Sequence, residues 1–123
     1  MTLRPFTVIT LLSASALTLW FSPPEGLSSV DPNVIRWVTQ GEEDNFGYDV
    51  YRGADKKGPF ERINQRTLAG AGTTDLPQRY SYTDSAIEAD TVYWYYVESV
   101  SLSGIRRPIT PVYPSRPKPR RLF

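Results

Sequence analysis

From Asn33 onward the chain alternates short β-prone runs with polar clusters rich in Gly, Pro, Asn and Asp. NVIRWVT (33–39), rich in β-branched and aromatic residues, reads as the first clear strand. GEEDN (41–45) reads as a polar turn, and FGYDVYR (46–52) as a second strand. GADKKG (53–58) turns again, and PFERI (59–63) is a short, edge-like strand. Residues 64–78, holding AGAGTTDLP, read as a long loop. RYSYTD (79–84) alternates, and the longest run, 91–101, closes on ESVS. Gly104 opens a turn, and 105–112 can form a last strand. No helix and no internal repeat are expected. Six or seven short strands with frequent turns imply an all-β, two-sheet sandwich.

The same alternation divides DTVYWYYVESV (90–100). If Tyr93, Tyr95 and Val97 face the core, Trp94, Tyr96 and Glu98 face out. On 46–52, Tyr48 and Val50 then face in, while Asp49 and Tyr51 face out. Trp37, on a central strand, is expected in the core.

Residues upstream and downstream carry a resemblance. IEADTVYWYYVESV, with Ile87, Thr91 and Tyr93 at key positions, resembles the end of a fibronectin type III domain. IRWV places Trp37 where that family keeps its core Trp. GYDVYR resembles the third strand, and SLSG followed by ITPV the last turn and strand. The resemblance spans roughly 34–112. It implies an immunoglobulin-like sandwich of about seven antiparallel strands, occupying 27–112. It also implies that Tyr93 is a tyrosine corner, its ring buried and its hydroxyl bonded to nearby backbone. The strands 46–52 and 91–101 would be neighbours, so Tyr51, Trp94 and Tyr96 would form one aromatic patch. The pattern departs at Ala89-Asp90, where the family has Pro-Gly, and at Tyr95, which is bulkier than the usual Val. The first strand falls in 27–30 or in 17–21.

Composition narrows the chemistry. The chain has 123 residues, one domain plus tails, with eleven Pro and eight Gly. It has no Cys and no His, which excludes disulfides, a thiol nucleophile, a Cys/His zinc site and a Ser-His-Asp triad. No cofactor is expected. Glu42, Glu43, Asp44 and Asn45 carry oxygen ligands, but their spacing fits no calcium loop. Gly70-Ala71-Gly72 lacks the helix and Lys of a phosphate loop and reads as a turn. A small sandwich offers little room for a carboxylate pair around a substrate. The chain therefore reads as a non-enzyme.

The N-terminus sets the compartment. Arg4 precedes an uncharged run over 7–21, the length of a secretory signal's apolar region and short of most membrane spans. Ala14-Ser15-Ala16 offers small residues for cleavage. Residues 1–22 thus read as a signal peptide or an uncleaved anchor, with a buried cytosolic strand as the third reading. The expected location is extracytoplasmic, periplasmic or secreted, with residues 7–21 as the anchor if they are retained.

The net charge is +1, and Arg116, Lys118, Arg120 and Arg121 exceed it alone, so the body is acidic and the tail basic. Residues 113–123, with three Pro, are expected to be a disordered tail. An acidic body argues against nucleic acid. Membrane contact would come only through an uncleaved N-terminal segment or the tail. Together these features point to a single exported, bacterial-type binding or structural module acting through the Tyr51, Trp94 and Tyr96 face on a protein partner. The alternative is a carbohydrate-binding accessory module for a separate enzyme. Ordinary sheet packing also accounts for such aromatics.

Overall fold

NVIRWVT folds as a strand whose side chains alternate between buried and exposed. In a computed structural model describing residues 28–122, Asn33, Ile35 and Trp37 are buried while Val34, Arg36 and Val38 are exposed. The expectations for residues 1–22, and the placement of a first strand at 17–21, lie outside the described residues. The chain divides into two units. One is Val30–Pro119; the other comprises Met1–Ser29 and Arg120–Phe123. In the latter, the described residues belong to a small sheet in which β1 (Ser28–Val30) pairs with β10 (Arg120–Leu122).

Within the larger unit, β2 (Asn33–Thr39) pairs antiparallel with β6 (Gln78–Asp84), Asn33 opposite Asp84 and Thr39 opposite Gln78. The second sheet has six strands. At its centre β3 (Glu42–Gly53) pairs antiparallel with β7 (Trp94–Ser101), Val50 opposite Val97 and Tyr51 opposite Tyr96. The other edge of β3 is shared between β4 (Phe60–Arg62) and β5 (Leu68–Thr74). β8 (Arg106–Pro108) and β9 (Tyr113–Pro114) follow one another along β7. Ile35 and Trp37 meet Tyr48, Val50, Tyr95 and Val97 in one core, with Ile63, Leu68, Tyr80, Tyr82, Tyr93 and Tyr113 packed around it. The described residues are all-β, with antiparallel sheets in an arrangement consistent with a β-sandwich. Against an expectation of about seven strands, the described residues form ten segments.

Three expectations need correction. First, GEEDN is no turn: β3 begins at Glu42 and carries a bulge between Asn45 and Gly47. Second, the loop read over 64–78, with its Gly70-Ala71-Gly72 turn, contains β5. Glycine is depleted in strands, but here its missing side chain is the requirement. A Cβ on Gly47 would lie 2.2 Å from the Leu68 carbonyl oxygen, and one on Gly70 would lie 2.4 Å from Asn45 Nδ2. Third, the tail read as disordered is hydrogen-bonded along the sheet edge. Tyr113 pairs with Tyr95, the Ser115 N–H donates to the Tyr93 carbonyl at 2.7 Å, and the Asp90 N–H donates to the Lys118 carbonyl at 2.8 Å. An edge strand needs only alternate N–H groups for pairing, so Pro114 and Pro117 are tolerated. The final strand is likewise split. Between its two parts, the Thr110 hydroxyl accepts the Val97 N–H at 3.0 Å.

Candidate functional site: the outer face of the six-stranded sheet

Parity on β7 sends Trp94, Tyr96 and Glu98 away from the core, and Tyr95 and Val97 into it. Register then places Tyr51 directly opposite Tyr96. Their rings stack, with centroids 4.9 Å apart and planes at 6°. Phe60, from β4, sets its ring edge-on to Tyr96 at 5.2 Å. The aromatic cluster is therefore Tyr51, Tyr96 and Phe60, all half-buried. Trp94 is half-buried at the start of β7, opposite Gly53 and Pro114. It makes no ring contact with Tyr51 or Tyr96. Phe60 was missed because 59–63 was read only as an edge strand. Its signal was the adjacency of that strand to Tyr51.

Beside the rings lies a charged network. The Tyr51 hydroxyl donates to Glu98 Oε1 at 3.0 Å. Arg106 donates from one Nη1 to Glu98 Oε1 at 3.1 Å and to Asp49 Oδ2 at 2.8 Å. The alternation on β3 sends Asp49 outward. It does lie on the outer face, yet it is 0% exposed, because side chains from β4, β8 and the β4–β5 connection cover it. Its Oδ1 accepts Asn64 Nδ2 and the Thr67 hydroxyl, each at 2.9 Å, and Arg62 stands 3.8 Å away. Burial alone would raise the Asp49 pKa. The bonds from Arg106, Asn64 and Thr67 outweigh it and hold the carboxyl below its ordinary value. Asn64 also accepts the Val50 N–H at 2.8 Å, bridging the gap where the partner of β3 changes from β4 to β5. Burial, then Glu98, pushes the Tyr51 and Tyr96 hydroxyls up, so both rings keep their protons at neutral pH.

The residues expected to be structural occupy the core side. Trp37, Tyr48, Val50 and Val97 are buried, and Tyr93 packs against them. The Tyr93 hydroxyl accepts the N–H of Glu88, five residues upstream, at 2.9 Å. The Arg52 guanidinium sits 5.2 Å over the Tyr93 ring. Arg52 Nη1 bonds both oxygens of buried Asp84, at 3.0 and 2.9 Å, and Asp84 accepts the Tyr95 hydroxyl at 2.6 Å.

At the opposite end of the core, Glu42 collects four donors: Asn45 Nδ2, the Thr39 hydroxyl, the Ala71 N–H and the Tyr80 hydroxyl. Burial alone would raise its pKa. The four bonds win, and hold it at about 2. A carboxylate whose folded pKa is depressed adds stability above its unfolded pKa and loses it as pH falls through the folded one. Acid titration monitored by tryptophan fluorescence is therefore expected to show stability falling between about pH 4.5 and about pH 2, by on the order of 2 kcal/mol after allowance for solvent screening. Glu42→Gln should flatten that part of the profile; an unchanged profile would remove Glu42 from the account. Among the described residues no group of three or more potential metal ligands comes together.

Comparison with known proteins finds no match to any family model, curated protein or solved structure. Fold and site thus define the protein only by class: an all-β protein of antiparallel sheets, with a ringed aromatic cluster and an ion network on one sheet face.

Proposed function

We propose that the chain is a non-catalytic, exported module of the fibronectin type III kind that binds a protein partner through the outer face of its six-stranded sheet. The observation that carries the binding surface is the in-register Tyr51–Tyr96 stack with Phe60 against its side. Clustered, half-exposed aromatics on a sheet face are enriched at interfaces, and the Asp49–Arg106–Glu98 network holds this cluster in a fixed pose. A sugar ring stacks on an open aromatic face. Here Tyr51 and Tyr96 cover one face of each other, which favours a protein over a glycan.

The family reading is supported by the pairing of β2 with β6 and of β7 with β3, β8 and β9, by buried Trp37, and by the Tyr93 hydroxyl on upstream backbone. The non-catalytic reading is supported by the carboxylates. Glu42 and Asp49 are saturated by donors and held ionised, so neither is poised to exchange a proton near neutral pH. Export is supported by the uncharged run over 7–21 alone.

Tyr96→Ala provides the test. It removes a stacked cross-strand pair, so it should cost about 1 kcal/mol and lower the melting temperature by about 4–8 °C with the fold intact. Cross-linked partner should be lost. Loss of polysaccharide retention instead would favour the carbohydrate-binding alternative. Undiminished partner capture would remove this face as the binding surface.

A further inference from the structure

A second surface lies apart from the aromatic face, at one end of the larger unit. Thr39 opposite Gln78, Glu42 opposite Thr74 and Asn45 opposite Ser101 bring three connections together there: β2–β3, β5–β6 and β7–β8. The bond from the Leu102 N–H to the Asp44 carbonyl, at 2.8 Å, ties two of them. Four large apolar side chains are exposed on or beside these connections: Phe46 at 55%, Leu76 at 63%, Leu102 at 64% and Ile105 at 60%. Apolar side chains collected at one end of a small domain are a docking signature in a way that scattered ones are not.

Charge indicates what covers them. Glu43, Asp44 and Asp75 are exposed at the same end, and residues 40–45, 75–77 and 102–105 contain no Lys or Arg. A concavity there is lined by Glu43, Asp44, Ser101, Ser103, Ile105 and Ile109, with Arg107 the single lining cation among the described residues. We propose that this end docks a cationic segment of another protein. Its Lys or Arg side chains would lie against Glu43 and Asp44, and a neighbouring aliphatic side chain against Ile105. Electrostatic complementarity of this kind speeds encounter and fixes register, while the apolar contact holds the complex.

Fluorescence anisotropy with the full chain tests the idea. The probe is a fluorescein-labelled hexapeptide of alternating leucine and lysine; the control replaces lysine by glutamate. The lysine peptide should bind at least about tenfold more tightly than the control, and should weaken as salt rises from about 0.05 to about 0.5 M. Glu43→Gln with Asp44→Asn should remove most of that salt dependence. Ile105→Ser should weaken binding at both salt levels. Asp55→Asn with Glu61→Gln, carboxylates of the β3–β4 connection and of β4, should leave binding unchanged and so exclude a general attraction to an acidic body. Equal binding of the two peptides, or an unchanged double variant, would overturn the proposal. So would sedimentation showing that the free chain self-associates and that Ile105→Ser makes it monomeric, because the occupant would then be a second copy.

Discussion

Replacing Asp49 by Ala is expected to destabilise the domain by about 3 kcal/mol or more, because the buried donors left without their acceptor cost about 1–3 kcal/mol each. The side chain is 0% exposed, and three groups point hydrogen-bond donors at it: Arg106 at 2.8 Å, and Asn64 and Thr67 at 2.9 Å. Truncation leaves those donors aimed at a void. Asn64 also accepts the Val50 N–H, so its release disturbs the junction of β3 with β4 and β5. The melting temperature should fall by more than about 10 °C. Arg106→Ala should cost less. That side chain is itself 46% exposed, and Asp49 would keep Asn64, Thr67 and nearby Arg62. Urea denaturation of the two variants checks this order; an Asp49→Ala loss under about 1 kcal/mol would mean that the network contributes little.

Trp37→Ala is expected to cost a similar amount, about 3–5 kcal/mol, for a different reason. The ring is 6% exposed. It stacks on Tyr80 at 5.6 Å and meets Tyr48 edge-on at 5.5 Å, so its loss opens a cavity between the two sheets. The indole N–H has no hydrogen-bond partner among the described residues, and an unpaired buried donor is itself unfavourable. Trp37→Phe removes that donor while keeping a ring in the cavity, and should recover more than half of the loss. Equal melting temperatures for the Ala and Phe variants would show that the cavity is not what decides the cost.

The sequence was readable where side-chain period decides the structure. In NVIRWVT and WYYV, successive side chains point to opposite faces, and burial alternates with them. The Tyr51–Tyr96 neighbourhood follows from the same parity once the two strands pair. The sequence misled where a strand has little side chain to show. LAGAGTT reads as a loop by propensity, yet its small residues are what let it approach Asn45 and Gly47. Polar GEEDN joins a strand because Glu42 finds four donors inside the fold. Parity also cannot distinguish outward from exposed. Asp49 points outward and is nonetheless fully covered, by residues up to 57 positions away in the chain. Trp94, assigned to the patch by the same parity, stands opposite Gly53 and Pro114, while Phe60 takes the place beside Tyr96.

Site-specific photo-cross-linking tests the proposed binding face most directly. A photoreactive phenylalanine analogue is placed at Tyr96 on the outer face, at Val34 on the outer side of the two-stranded β2–β6 sheet, and at Ile105 at the loop end, and each variant is irradiated in cells that make the protein. The expected result is a discrete protein adduct from position 96 that is absent from position 34, whatever position 105 yields. Adducts from position 34 with none from position 96 would contradict the assignment of the Tyr51–Tyr96–Phe60 face as the partner surface.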